Sequence, residues 1–477
     1  MKIKLKIPFV FILLLALPLV SSALEKPLEE VMDLGLNVMV IETENGEWPA
    51  CEYVNAPAGC MGKGIANATK VPGALTIYSP SGEIMYESGE YEKGEGGMTV
   101  KIRGNTSAYA YKKPYKIKLQ KKADLLLRGD KKYNDKNWVL LNDNQLKLYF
   151  GFEVSRLLEE EWTPSGMYVN LILNGEYLGL YYLVESIDQN EKCRMNVSDD
   201  GFIVEHDAYW WNEDGQFIKS EYDPLLNYTF KYPDYEDLSP ESLSYITRIL
   251  EDYEHSIKDG SYTDMIDIES FAKWLLGHDI LGTSDGGGAN FYLSKYDDTS
   301  ATKIKAGPLW DFDTIELSDE TWSQVHTAFS RFDSFFADEA TPFMQIYTEI
   351  WKTRGKDIYE GLLSFIEDLR DKEKWEPYYL SSLATSEWWG APTDPRDAAD
   401  RDAAWINARF SWLKANLGEW KEEEGDAGSL QISDSETGNR AIYDLQGRKI
   451  SDEASPATMK QLEKGLYIIG GRKVIIK

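Results

Sequence analysis

Cysteine and histidine are scarce in this chain, three and four among 477 residues. His206, His255, His278 and His326 are scattered, without the close spacing of a metal centre, and no Ser-His-Asp order stands out. Those gaps set aside the common zinc and hydrolase constellations. Cys51 and Cys60 share one Gly/Pro-rich loop, where an exported protein can form a small disulfide. Cys193 is left over, and nothing beside it activates a thiol. Positive charge is also short: the formal net charge is -29, and removing Lys2, Lys4 and Lys6 takes it to -32. Such a surface repels nucleic acid and anionic lipid and argues against both as partners. Any anionic ligand would need its own local cations. Long apolar runs are confined to Phe9–Val20. With the basic start before it and Ser21-Ser22-Ala23 after it, that run reads as a secretory signal peptide over residues 1–23. No cysteine follows the cut to carry a lipid, and no later run is long enough for a membrane span. The mature protein is expected to be exported, at a periplasmic, outer-surface or extracellular address.

What is present divides by pattern. Residues 24–100 carry short β runs broken by turn residues, including Asn37–Glu42, Leu75–Tyr78, Ile84–Tyr86 and Met98–Ile102. In Lys112–Leu119, apolar Tyr115, Ile117 and Leu119 alternate with Lys116 and Lys118. Gln145–Glu160 has helical spacing. Tyr168–Leu173 and Tyr177–Ile187 read as strands joined by Asn174-Gly175, a strong hairpin signal. Beyond Pro240 the spacing is mostly helical, over Glu241–Ile257, Ile268–Leu281, Pro342–Leu369 and Arg396–Glu419. A charged, Gly-containing linker at 421–432 precedes a β tail at 433–477.

Asp285-Gly-Gly-Gly-Ala-Asn290 and Trp310-Asp311-Phe312-Asp313 carry the chemistry. Phosphoryl transfer from a nucleotide needs a group that accepts the substrate's proton and oxygens that hold Mg²⁺ against the phosphates. An Asp, an Asn five residues on, and a later Asp-Phe-Asp supply them in the order used by protein kinases. A loop Asp capping a turn is the plain alternative for Asp285, and Trp310 and Phe312 read as core aromatics. Arg103-Gly-Asn-Thr-Ser107 with Lys113–Leu119, Asn170–Glu185, Asp285 with Asn290–Leu293, and Gly307–Asp313 together resemble the signature of the CotH family, named for a spore-coat protein.

The resemblance implies an α+β, atypical bilobal kinase-like fold over residues 101–420, with a β-rich N-terminal portion, a mainly helical second lobe and a small C-terminal β module. It also implies transfer of phosphate from ATP to Ser/Thr of secreted or surface proteins. In that frame Asp285 is the catalytic residue, and Asn290, Asp311 and Asp313 are the ligands of Mg²⁺, or of Mn²⁺ in its place. Lys116 and Lys118 are candidates to grip the nucleotide phosphates, and Arg103 could bind one bidentately. Glu153 sits where a kinase pairs a Glu with its lysine, although a solvated helix position reads as well; Glu185 falls at the expected hinge. The chain departs from ordinary kinases in lacking their Gly-rich phosphate loop and a His-Arg before Asp285. A non-catalytic surface scaffold or adhesin, binding protein or glycan partners, is the alternative. The segments Tyr443–Arg448 and Gly465–Gly471 resemble the sorting domain of type IX secretion, which would make that machinery a partner.

Overall fold

The computed structural model describes residues 26–142, 146–283, 285–287, 289–312, 314–315, 329–385, 392 and 394–421, and in the tail 441–443, 449–451, 458, 462, 465–469 and 472–476. The segment expected to be a signal peptide, Asp313 and most of the expected linker lie outside these residues. The chain falls into two compact units, divided between Trp420 and Lys421.

After a short helix α1 (Leu28–Met32), the first unit opens with strands β1 (Val38–Thr43), β2 (Glu52–Asn55), β3 (Lys63–Ala66), β4 (Val71–Tyr78), β5 (Ile84–Glu87) and β6 (Met98–Ile102). Strands β7 (Tyr115–Ala123), β8 (Asp135–Leu141), β9 (Gly166–Leu173) and β10 (Glu176–Glu185) follow, with helix α2 (Lys147–Leu157) between β8 and β9. Eight of these strands form one sheet in the order β1-β9-β10-β8-β7-β6-β4-β5, and β1 also pairs with β4. That extra pairing closes a ring and leaves β5 hanging on β4. Closure satisfies backbone groups that an open edge would leave exposed. The ring draws strands from both sides of residue 100, so the β-rich N-terminal stretch and the strands after it are one body. Period-two alternation fills it: Met98, Val100, Ile102, Ile117, Leu119, Trp138, Leu140, Leu171 and Leu183 belong to one buried cluster. Asn174 and Gly175, at φ 51° and 79°, make the tight turn between β9 and β10 that the Asn-Gly pair predicts.

A second sheet, in the order β12-β13-β11-β14-β15, consists of β11 (Phe202–Asp207), β12 (Phe217–Ile218), β13 (Asn227–Tyr232), β14 (Phe291–Lys295) and β15 (Lys305–Ala306). Helices α3 (Pro240–Asp259), α4 (Ile268–Leu281), α5 (Pro342–Asp368) and α7 (Pro395–Leu417) share one buried core with it, while α6 (Lys372–Leu383) packs on β10 of the ring. That core is shared with α2: Phe152 lies edge-on to Phe312, with ring centroids 5.2 Å apart. The arrangement is mixed helix and sheet, as expected. The α2 helix is shorter than its apolar spacing suggests because Leu146 and Glu159 take left-handed φ values of 59° and 53°. Strands β8 and β13 were not foreseen; β8 carries no clear alternation, whereas in β13 Tyr228, Phe230 and Tyr232 alternate with Asn227, Thr229 and Lys231, a period-two signal that was missed. In the second unit β16 (Ile442–Tyr443), β17 (Lys449–Ser451), β18 (Gly465–Ile469) and β19 (Arg472–Ile476) form an antiparallel sheet in the order β17-β16-β18-β19.

The expected disulfide is absent: Cys51 and Cys60 are free, as is Cys193. Cys51 precedes β2, whereas Cys60 lies in the loop between β2 and β3, so the length of the hairpin separates them. Four strand residues span about 13 Å, beyond the roughly 7 Å reach of a disulfide. Among the described residues no helix is long and apolar enough to cross a membrane.

Candidate active site

A cavity of about 910 Å³ opens between the closed ring and the second sheet. From the ring side it is lined by Lys101, Arg103, Gly104–Ser107 and Lys116, and from the sheet side by Glu205, Asp207, Lys231, Asn290, Tyr292 and Asp311. Met61, Ile65 and Ala66 of the β2–β3 hairpin flank it.

The ring supplies cations through strand alternation. Lys116 on β7 stands directly opposite Lys101 on β6. Like charges facing each other across strands are unfavourable, and so is their burial. Burial lowers the Lys116 pKa to about 8 even though nearby Asp188 opposes the shift. Lys101 is lowered too, by burial first and then by Lys70.

The sheet wall is built differently. On β11, Glu205 and Asp207 line the cavity, while His206 between them stacks on Tyr228 with ring centroids 4.7 Å apart. The Lys231 ammonium lies 2.8 Å from Glu205 and donates to Thr229 Oγ1 at 3.2 Å. Thr229 in turn donates to Asp207 Oδ2 at 3.1 Å. Burial and then the Glu205 charge push the Asp207 carboxyl well above the usual range. Against the cost of its burial, Glu205 and Asp207 hold Lys231 above the usual lysine value.

Asn290 ends a loop before β14; its backbone N–H donates to Glu205 Oε1 at 2.8 Å, and its amide Nδ2 lies 3.4 Å from Asp311 Oδ2. Both residues are left-handed, with φ of 61° for Asn290 and 64° for Asp311. Asn and Asp are the side-chain residues that bear this conformation best, and such positions gather at functional sites. Trp310 and Phe312, 4% and 0% exposed, are buried on either side of Asp311. The aromatics are therefore core and the carboxylate between them reaches the cavity, as the sequence suggests.

A protein-family model, CotH kinase protein, matches residues 100–373, more than half of the chain. The chain belongs to the CotH kinase family. No curated protein matches it. The family match points to a kinase-like function, and the matched span contains every charged residue that lines the cavity, though not the β2–β3 hairpin that flanks it.

Of the CotH-signature residues singled out by sequence, the structure brings Arg103, Lys116, Asn290 and Asp311 together in one cavity. Asp285 opens a 3-10 turn, Asp285–Gly287; its carboxyl group, like Asp313, lies outside the described part. Lys118 is exposed on the ring and does not line the cavity. Glu153 is turned to Arg156, its Oε2 accepting from Nε at 3.0 Å. Glu185 is buried and committed elsewhere, to Arg128 at 2.8 Å and the Ser165 N–H at 2.9 Å. Six charged residues of the cavity went unnoticed in the sequence: Lys101, Glu205, Asp207, Glu213, Asp214 and Lys231. Glu205 and Asp207 did leave a trace, two carboxylates two apart in an otherwise apolar strand.

Proposed function

We propose that the cavity binds ATP with Mg²⁺ and that the protein transfers the γ-phosphoryl group to Ser or Thr hydroxyls of secreted or surface proteins. The observation that carries the reading is the meeting of Arg103 and Lys116 with Asn290 and Asp311 around one polar cavity. Among the described residues no group of three or more His, Cys, Asp or Glu is disposed to hold a metal. Mg²⁺ with a nucleotide needs less: one or two protein oxygens suffice, because phosphate and water complete its shell. The carboxylate of Asp311 and the amide oxygen of Asn290 are hard donors of that kind, and so the donor set fits. When bound, Mg²⁺ supplies neutralisation of the charge on the transferring phosphate.

The rest falls to the chain. Arg103 and Lys116 grip phosphate oxygens, with Lys101 adding charge. Glu205 fixes the Asn290 backbone, and Lys231 fixes Glu205. Asp285 orients the acceptor hydroxyl and takes its proton as the new P–O bond forms and the bond to the β-phosphate breaks, leaving ADP. Glu153, Glu185 and Lys118 have no part in this scheme. Export through the N-terminal signal, and handling of the C-terminal β unit by type IX secretion, complete the proposal.

The test is transfer of label from γ-labelled ATP, with Mg²⁺ or Mn²⁺, to a generic Ser/Thr-rich protein acceptor. Asp285→Ala and Asp311→Ala should each lower the rate by at least ~100-fold. Wild-type protein that neither transfers label nor shows a nucleotide-dependent thermal shift would favour the non-catalytic scaffold instead.

A further inference from the structure

Arg331 lies in a 3-10 segment, Ser330–Phe336, far in sequence from the motifs above. Its guanidinium donates to two successive backbone carbonyls of the Asp285 turn, Gly286 O at 3.0 Å and Gly287 O at 3.2 Å. The same group lies over the rings of Phe291, at 4.7 Å, and Phe332, at 5.0 Å. Phe291 is the residue after Asn290. One planar cation therefore touches the chain on both sides of Asn290, at the turn opened by Asp285 and at the first residue of β14.

The turn is tightly seated on its other faces. His278, 1% exposed near the end of α4, has Nδ1 2.9 Å from the Thr283 carbonyl; a carbonyl can only accept, so Nδ1 carries the proton. Its other nitrogen, Nε2, faces the turn: a Cβ built on Gly286 would lie 2.7 Å from it, and equally close to the Trp274 ring. A Cβ on Gly287 would lie 2.8 Å from the Phe329 ring. The consecutive glycines are thus required by what surrounds them, beyond any need for substrate approach. Bidentate geometry is what a guanidinium offers and an ammonium does not.

We infer that Arg331 is a positioning residue that holds the Asp285 turn at a fixed spacing from Asn290, so that the proton acceptor and the metal ligand meet the same phosphoryl group. The inference rests on the roles proposed for Asp285 and Asn290. Arg331 does not line the nucleotide cavity, and its effect is on alignment, where a shift of about 1 Å can cost ~100-fold in rate.

Arg331→Met keeps the length and apolar packing of the side chain and removes both donors; Arg331→Lys keeps the charge with a single point of donation. With full-length protein, the expected result for Arg331→Met is a kcat lower by ~100-fold. KM for ATP and affinity for a non-hydrolysable ATP analogue should stay within about threefold, and Arg331→Lys should recover part of kcat. Amide hydrogen exchange should rise in peptides covering 282–291 and stay unchanged in those covering β11 and β13. A merely structural role would lower Tm, kcat and nucleotide affinity together and raise exchange throughout, and that result overturns the inference. So does unchanged kcat, or unchanged exchange at 282–291. If wild-type protein transfers no label to any acceptor, the functional proposal fails by itself, and the exchange measurement still decides whether Arg331 orders the turn.

Discussion

The two walls of the cavity hold similar charges in opposite states. Among the described residues, Lys101, Arg103 and Lys116 on the ring form no ion pair, and burial depresses the two lysines. On the sheet wall Lys231 is already paired with Glu205 at 2.8 Å, and Asn290, Glu205 and Asp311 are linked by hydrogen bonds. One wall is complete without a ligand; the other holds positive charge that an anion would compensate. A phosphate chain entering between them would be gripped by cations on one side and meet the proposed metal oxygens on the other. The acidity of the whole chain makes the concentration of cations on one wall more telling, because it runs against the average.

Breaking each wall should therefore give opposite signs. Glu205→Gln or Lys231→Met leaves one charge of a largely buried pair without its partner. The expected loss of stability is roughly 2–3 kcal/mol, at the low end because 25% of the Lys231 side chain stays exposed. It should be read as a drop in Tm without nucleotide, with the double variant recovering part of it. Lys116→Met should leave the ligand-free protein as stable or more so, while weakening ATP-analogue binding by about tenfold, the cost of one charged contact. Equal destabilisation by both substitutions would erase the distinction between the walls.

The ring's lysine also makes the cavity sensitive to pH, with a sign that can be worked out. The folded, ligand-free Lys116 titrates at about 8, below its ordinary value of 10.5. Between those values the unfolded chain binds more protons than the folded one, so this residue makes stability rise with pH across that window. Nucleotide binding runs the other way, since phosphate requires the ammonium form. Affinity for the ATP analogue should be flat just below pH 8 and fall above it by about tenfold in all, the same loss as for Lys116→Met. Binding calorimetry near pH 8.5 in buffers of different ionisation enthalpy should reveal proton uptake, and Lys116→Met should abolish both effects.

How much of this was legible in the sequence depends on the range of the interactions. Local signals worked: Asn174-Gly175 made its turn, the helical spacing over Ile268–Leu281 became α4, and period two chose the inward face of β7. The motif residues that converge, Arg103, Lys116, Asn290 and Asp311, were visible through the kinase-like order of Asp and Asn and the resemblance to the CotH signature, because their types alone are common in loops and on strand faces. What could not be read were choices between distant partners. Nothing around Glu185 announces Arg128, and nothing around Lys231 announces Glu205, since those pairings exist only once strands from remote segments are set side by side. The disulfide expectation failed for a related reason. Cys51 and Cys60 are close in sequence, but an intervening hairpin strand holds them apart.

The smallest expected effects are the sharpest check on which position along the strand matters. Lys118 is two residues from Lys116 on β7, but a side chain at 118 is exposed where the one at 116 is largely covered. The difference arises from neighbours: Lys116 lies opposite Lys101, and both line the cavity, while Lys118 lies opposite Thr99. Glu153, the other kinase-like candidate, spends its carboxylate on Arg156 one turn along α2, a pair worth about 0.3–0.5 kcal/mol. Lys118→Met and Glu153→Gln should each change ATP-analogue affinity by less than about twofold and stability by at most roughly 0.5 kcal/mol. If Lys118→Met instead weakened binding as much as Lys116→Met, the ring would be acting as a diffuse basic surface and not through one placed lysine. The cavity would then be an electrostatic funnel, and its second wall alone would have to fix where the phosphates lie.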